Sequence, residues 1–561
     1  MKRLVLLTAA LGWSTFPLAC SSSGGSGSTG DGSGGSSGSG GTHGSGGSSG
    51  SSGSGSGGDT SSGGATAHSG GSTGTTSGGT TGSGGSATGG TTATGSGGAA
   101  SGGRGPGDST ATGGVGTTAT GGHSGTSSGG SNPGTAGTTG AGGTTPTGAD
   151  GFTIAVQLAS AVKSTAPGTV GIVTWSLSGA TVSSAHLDFG PDTTYGMTAP
   201  ADLTATASGT TGYRTLLLGM KPAKTYHFRV VASDGGKTYT SDDHTVMTGP
   251  KPSMNPISTF TVKNATAVPK GFFITSFWQN GTKTMPFIFD TDGDVVWWYT
   301  PGSGESTDGI SHARMSADSQ NIWLVNESLS GNPLRRVTID ALTEMTYTNT
   351  KASHDIAAVT GETMAYLDYG ESDCNSIFEI NNAGTTKEVF ESTNVTSMGT
   401  GMNNCHGNAV RYSKKEDYYT FSDWQKDLAV VTRAGTLVWK LSQKVSGGNA
   451  SWGGAQHGHQ LLDSSILLFA NNGAGMNKSQ AVEYGLDGTL IKKFTSNGSA
   501  TNFGDVQRLS NGNTIITYST SSLIQEVDAS DAVVLEVKGP GSFGYVEFRD
   551  SLYGPPLDIN Q

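Results

Sequence analysis

Four histidines in the C-terminal half of the chain recur at near-regular intervals: His312, His354, His406 and His457 are 42, 52 and 51 residues apart. Each precedes, by about ten positions, a short apolar run: residues 322–325, 364–367, 418–421 and 466–469. Asp505 precedes residues 514–516 in the same phase, and a degenerate first copy sets Val262 or Lys263 ahead of residues 272–274. A neutral imidazole is a nucleophile near pH 7. It also serves as acid or base because its pKa lies in range, and it ligates transition metals. Three chemistries are therefore open for the set. One is a metal site, although no cysteine or carboxylate stands out to complete a ligand set. Another is a ring of hydrogen-bonding pegs between repeats, and the third is a nucleophile with a neighbouring acid or base.

The elements that must position these side chains also repeat. An alternating strand, a turn and a second strand appear at residues 287–290 with Gly293 and Trp297-Trp298, and at 337–340 with 343–347. The same pattern returns at 377–381 with Gly384, 428–431 with Gly435 and Trp439, 481–484 with Gly488, and 524–528 with 533–537. About 50 residues per repeat, each built from several short strands, indicate a β-propeller with one blade per repeat. Six repeats predict six blades within residues 255–556. Equivalent positions on successive blades face one axial channel, so the histidines are expected to converge there.

The rest of the chain is less informative about chemistry. Most of the 94 glycines fall in residues 21–149, a Gly/Ser/Thr tract that cannot bury enough apolar surface to offset ordering entropy. It is expected to be a disordered linker spanning roughly 60 Å, and its His43, His68 and His123 carry no functional meaning. The net charge of −11 comes with no basic stripe, so nucleic acid is not an expected partner. Residues 1–20 read as an export signal: Lys2-Arg3, an apolar run over 4–11, then Phe16-Pro17-Leu18-Ala19-Cys20. Cys20 before a Ser/Gly tether resembles a bacterial lipoprotein processing site, with Pro17 where leucine is usual. Ser21 after it implies sorting to the outer membrane. Cys374 and Cys405 are the two remaining cysteines, and in an oxidising compartment the pair invites a disulfide contributing about 3–4 kcal/mol; two buried thiols are the alternative.

Residues 151–248 carry alternating strands at 171–176, 184–189, 213–218, 225–231 and 238–246, as in a β-sandwich of about 100 residues. The phrase Leu218-Gly219-Met220-Lys221-Pro222 before Thr225-Tyr226-His227-Phe228-Arg229-Val230 resembles fibronectin type III domains. His186, His227 and His244 are isolated within strands, and the domain is expected to act as a spacer or docking module.

Five blocks resemble the arylsulfotransferase family: Cys405-His406-Gly407-Asn408-Ala409-Val410-Arg411-Tyr412, Gln456-His457-Gly458-His459-Gln460-Leu461, Ser479-Gln480-Ala481-Val482-Glu483-Tyr484, Gly504-Asp505-Val506-Gln507-Arg508-Leu509, and Leu552-Tyr553-Gly554-Pro555-Pro556. The resemblance spans roughly residues 255–556. It implies an exported six-bladed propeller, needing no cofactor or metal, that moves a sulfuryl group from an aryl sulfate to a phenolic acceptor. It implies His457 as the transiently sulfated nucleophile, with His354 and His406 as catalytic partners. Asn408, His312 and His459 are expected to contact substrate. Trp424 and Trp452 would stack on an aryl ring, or else pack in the core. The family's Ser-Ser-Arg segment is absent; Phe421-Ser422-Asp423-Trp424-Gln425-Lys426 stands in its place. Lys426, Arg411 or Arg508 then neutralises the sulfuryl group, or the site has lost or changed that activity. The alternative function is a lipid-tethered propeller that binds a small anionic or aromatic ligand without chemistry.

Overall fold

A computed structural model describes residues 151–205, 212–279, 282–300, 310–326, 333–369, 375–392, 406–423, 427–442, 452, 455–471, 478–495 and 498–555. Cys20, the Gly/Ser/Thr tract, Cys374, Cys405, Trp424 and Lys426 lie outside them. None of the described helices is long and apolar enough to cross a membrane.

The first domain is a sandwich of two antiparallel sheets. Phe152–Leu158, Gly171–Leu177 and Tyr213–Leu217 form one, in that order. Met197–Pro200, Ser184–Gly190, Thr225–Ser233 and Thr238–Thr240 form the other, with His244–Met247 also pairing to Thr225–Ser233. Strict alternation along Thr225–Ser233 turns Tyr226, Phe228, Val230 and Ala232 inward against Trp175, Leu187 and Phe189. The single strand expected over 238–246 is two. Ser241 interrupts it, because its hydroxyl accepts the Val230 N–H at 2.9 Å and replaces a ladder bond.

Residues 259–549 form six blades. Four are continuous in the chain, each with its first strand innermost. Blade two runs Ile310–Met315, Asn321–Asn326, Leu334–Thr338, Glu344–Tyr347, and blade three Ala352–Ala358, Thr363–Asp368, Ser376–Asn381, Thr386–Glu391. Blade four runs Gly407–Ser413, Tyr418–Asp423, Asp427–Thr432, Leu437–Ser442, and blade five Gln456–Leu461, Ser465–Ala470, Gln480–Gly485, Leu490–Lys493. The last turn of four blades carries a left-handed glycine at Gly293, Gly384, Gly435 or Gly488. Gly435 has a second constraint, since a Cβ there would lie 2.3 Å from the Val389 carbonyl of the neighbouring blade.

The ring closes twice. Blade one takes its inner strands from the C-terminus: Ser542–Phe543 and Glu547–Arg549 pair with Phe272–Gln279, followed by Thr282–Asp290 and Val295–Trp298. Blade six runs Asp505–Arg508, Thr514–Tyr518, Leu523–Val527, Val533–Lys538, and gains an outermost strand, Thr259–Val262, from the start of the domain. Val262 and Lys263 are therefore rim residues and not the channel anchor the repeat suggested. Tyr545, between the two C-terminal strands, holds that place. Neighbouring blades share apolar layers, and at three junctions a side chain caps a backbone N–H of the next inner strand: Asp355 to Val410 at 3.0 Å, Gln460 to Arg508 at 2.5 Å, and Glu547 to Met315 at 3.1 Å.

The sandwich shares core with blades one and two, Val170, Ile172 and Leu218 packing with Ile274, Trp297 and Leu552. Lys221 reaches Asp290, Asp292 and Asp294 at 3.3, 2.8 and 2.9 Å. The Tyr553 hydroxyl accepts the Leu218 N–H at 2.7 Å and donates to the Leu216 carbonyl at 3.1 Å.

Candidate functional site

The histidines sit where the inner strands break register. Ser311, Asn408, and the His457-Gly458 pair each mark a one-residue bulge against the second strand, and blade three inserts both His354 and Asp355. A bulge re-aims the side chains it carries. His354 also adopts a left-handed φ of 51°, uncommon for a residue with a Cβ. Gly458 is a glycine because the inner strand of blade six presses against it: a Cβ would fall 2.7 Å from the Asp505 Cα.

Three of the four histidines form one cluster. His354 and His406 approach edge to face with ring nitrogens 3.4 Å apart, and the His457 ring lies 6.0 Å from His354. Phe503 packs on both His354 and His457, at 5.5 and 6.0 Å, and Trp278 and Tyr369 extend this aromatic wall. All three imidazoles are buried. Burial holds His354 down to about 3, and burial with His354 alongside does the same for His406, also to about 3. His457 is held well below its ordinary value chiefly by burial, then by His354, against the opposing bond to Asn471. All three are neutral at pH 7.

His457 is oriented by a residue that the repeat pattern did not single out. Asn471, at the end of the second strand of blade five, donates its amide N–H groups to the Ala500 and Phe503 carbonyls at 3.0 and 2.7 Å. Its oxygen therefore faces His457 Nδ1, 2.5 Å away. Among the described residues His457 Nε2 has no hydrogen-bond partner.

His312 is not part of that cluster. It stacks on Tyr545 at 4.9 Å, with Nδ1 2.9 Å from Asp355 but outside hydrogen-bond geometry. Burial, with Arg314 and Arg411 nearby, nonetheless keeps it neutral. This is a separate, charged layer of the channel. Arg411 crosses it, bonding Asp355 of blade three and, at 2.7 Å, Asp505 of blade six, while lying over the Tyr545 ring. His459 belongs here too: it bonds Thr420 at 2.7 Å and lines a cavity of about 10 Å³ with Arg314, Arg411 and Asp505, room for one water at most.

Other expected site residues are placed elsewhere. Trp452 is core, filling the layer between blades four and five and donating to Gln456 at 2.9 Å. Arg508 is committed to Glu483 and Thr514 at 2.8 and 2.9 Å, between blades five and six. Arg411 is spent on its two aspartates. Asn408 donates to the Gln456 carbonyl at 2.7 Å and so ties the His406 strand to the His457 strand. Asn375 Oδ1 accepts the Gly407 N–H at 2.8 Å, joining blades three and four beside His406. Among the described residues no three His, Cys, Asp or Glu side chains are arranged to hold a metal.

No family model matches the sequence, and no curated protein matches it closely enough to count as a relative. Solved structures of similar shape include TolB from Acinetobacter baumannii (11% identity, 59% of this chain and 80% of that one, TM-score 0.38). Virginiamycin B lyase from Staphylococcus aureus is 12% identical, with 49% of this chain and 87% of that one covered and a TM-score of 0.32. The Cps50 (Swd1) β-propeller domain of Myceliophteria thermophila is 12% identical, with 52% and 90% covered and a TM-score of 0.33. Scores this low carry no argument for this chain; its own six four- and five-stranded blades make the protein a β-propeller.

Proposed function

We propose that this propeller moves a sulfuryl group from an aryl sulfate to a phenolic acceptor, with His457 as the covalent carrier. The observation that carries this reading is a buried, neutral His457 whose Nε2 lone pair has no partner among the described residues. A nucleophile of this kind divides one transfer into two easier steps. The aromatic wall of Phe503, Tyr369 and Trp278 takes the role first given to Trp452 and receives the aryl ring. The His354 and His406 rings, their nitrogens 3.4 Å apart, orient the acceptor, which enters as its phenolate. Because burial disfavours an imidazolium here, good donors are aryl sulfates whose phenolate leaves without protonation. Incubating the protein with 4-nitrophenyl sulfate alone should add the mass of one sulfuryl group, and a phenol added afterwards should remove it. Undiminished turnover in His457→Ala would rule the mechanism out.

A second reading is favoured by Arg411, whose guanidinium is already held by Asp355 and Asp505. In that reading the cluster binds an aromatic anion without chemistry, and calorimetry shows saturable binding with no covalent adduct at any time. In either case we place the protein on the bacterial outer membrane through an acylated Cys20. A Cys20→Ser protein that still fractionates with membranes would refute this. The sandwich is read as a fibronectin type III-like docking module, supported by its three-strand and five-strand sheets and its seat on blades one and two.

A further inference from the structure

We infer that Asn471 fixes His457 as the Nδ1–H tautomer and thereby makes Nε2 the atom that takes the sulfuryl group, an inference that rests on the transfer reaction proposed above. The argument is one of hydrogen-bond roles. An amide side chain has one accepting oxygen and one donating nitrogen. The nitrogen of Asn471 faces two carbonyls, Ala500 and Phe503, which can only accept. The amide cannot be turned over without setting its oxygen against both of them in a buried site, where each unmade bond costs about 1–3 kcal/mol. Its oxygen is thus fixed toward His457 Nδ1, and an oxygen acceptor demands a proton on that nitrogen. A neutral imidazole carries one ring proton, so Nε2 bears the free lone pair.

The covalent steps follow from that assignment. The Nε2 lone pair forms the N–S bond as the S–O bond to the aryl group breaks, its electron pair leaving on the phenolate oxygen. The ring becomes an Nδ1-protonated, Nε2-sulfated imidazolium, and the bond to the Asn471 oxygen strengthens as the ring gains positive charge. The acceptor phenolate then attacks sulfur, and the N–S pair returns to Nε2. Asn471 touches no substrate; it is a positioning residue. Its side chain sets a second constraint, because the same amide nitrogen donates to the Phe503 carbonyl and so holds the loop that carries Phe503 against the His457 ring.

The test reads the tautomer directly and needs no substrate. The full chain is labelled with ring-15N histidine, and His457 is assigned among the 11 histidines by loss of its signals in His457→Gln. At pH 7, Nδ1 should show the shift of a protonated nitrogen and Nε2 that of a bare one. Asn471→Leu should populate the Nε2–H form and slow adduct formation from 4-nitrophenyl sulfate on the order of 100-fold or more, as loss of a tautomer-fixing partner does elsewhere. Nε2–H in the parent protein overturns the inference, whether or not Asn471→Leu folds. So does a folded Asn471→Leu that forms adduct at the parental rate. If the tautomer is as stated and responds to Asn471→Leu, but the parent never forms an adduct, the transfer reaction fails while Asn471's control of the ring stands.

Discussion

Replacing Arg411 with methionine removes the only cation bonded to both Asp355 and Asp505 among the described residues, in a layer with almost no solvent. Taking one partner from a buried charge pair costs about 3–5 kcal/mol, because the other is left uncompensated. Here two carboxylates are left. Each keeps backbone donors: Ile356 and Val410 for Asp355 at 2.9 and 3.0 Å, Val506 and Val546 for Asp505 at 2.9 and 3.3 Å. Arg314 also stays 3.8 Å from Asp355, beside the neutral His312. The loss should therefore lie near the lower end, about 3 kcal/mol, still a large share of the roughly 5–15 kcal/mol that holds a domain folded. Urea unfolding at pH 8 followed by tryptophan fluorescence should show that deficit. Adding Asp355→Asn and Asp505→Asn should recover most of it. A variant within about 1 kcal/mol of the parent, or a deficit that the two asparagine substitutions leave unchanged, would refute the reasoning.

Deleting residues 542–561 removes the inner strands of blade one, leaving Phe272–Gln279 an unpaired edge and stripping Tyr545 from His312. Limited proteolysis should then degrade the propeller while sparing the sandwich; a propeller still resistant would show that the closure is dispensable. Burial pushes the Glu526 carboxyl up to about 7, with the Asn513 amide opposing. A folded value above the unfolded one means stability is fullest below about pH 4.5 and is lost as pH rises through 7. Glu526→Gln should accordingly raise stability by roughly 1–3 kcal/mol at pH 8 and by little at pH 5; an equal gain at both would show the carboxyl is not titrating there.

The blades were legible in the sequence because first and second strands repeat at fixed offsets, and His354, His406 and His457 converge as their common phase requires. His312 shares the phase but not the place, since Tyr545 from the far end of the chain stacks on it and Asp355 draws it into the charged layer. Nothing local to residue 312 announces either partner. Asn471, Phe503 and Tyr545 were missed for the same reason: each lies in a loop next to a strand, and its importance comes from a neighbour elsewhere in the chain. Trp452 shows the converse. Proximity in sequence to His457 left substrate contact open beside core packing, and a large indole between two apolar blade faces takes the second. The double closure could not be read from periodicity at all, because it joins the two ends of the repeat array.

That closure also has a consequence in time. Every strand of the sandwich lies within residues 152–247, so this domain can assemble as soon as it has been synthesised. The propeller cannot. Its first strand, Thr259–Val262, belongs to a blade about 250 residues downstream, and its first blade stays without inner strands until residue 549 arrives. Pairings so distant in sequence are slow to form. Until then the middle blades wait with open flanks, a state prone to aggregation. The last event is written into Tyr553, four residues past the final strand, whose hydroxyl engages the backbone of Leu216 and Leu218. The segment after the last blade strand thus latches onto the domain that finished first, and only a molecule synthesised through residue 553 can make that contact.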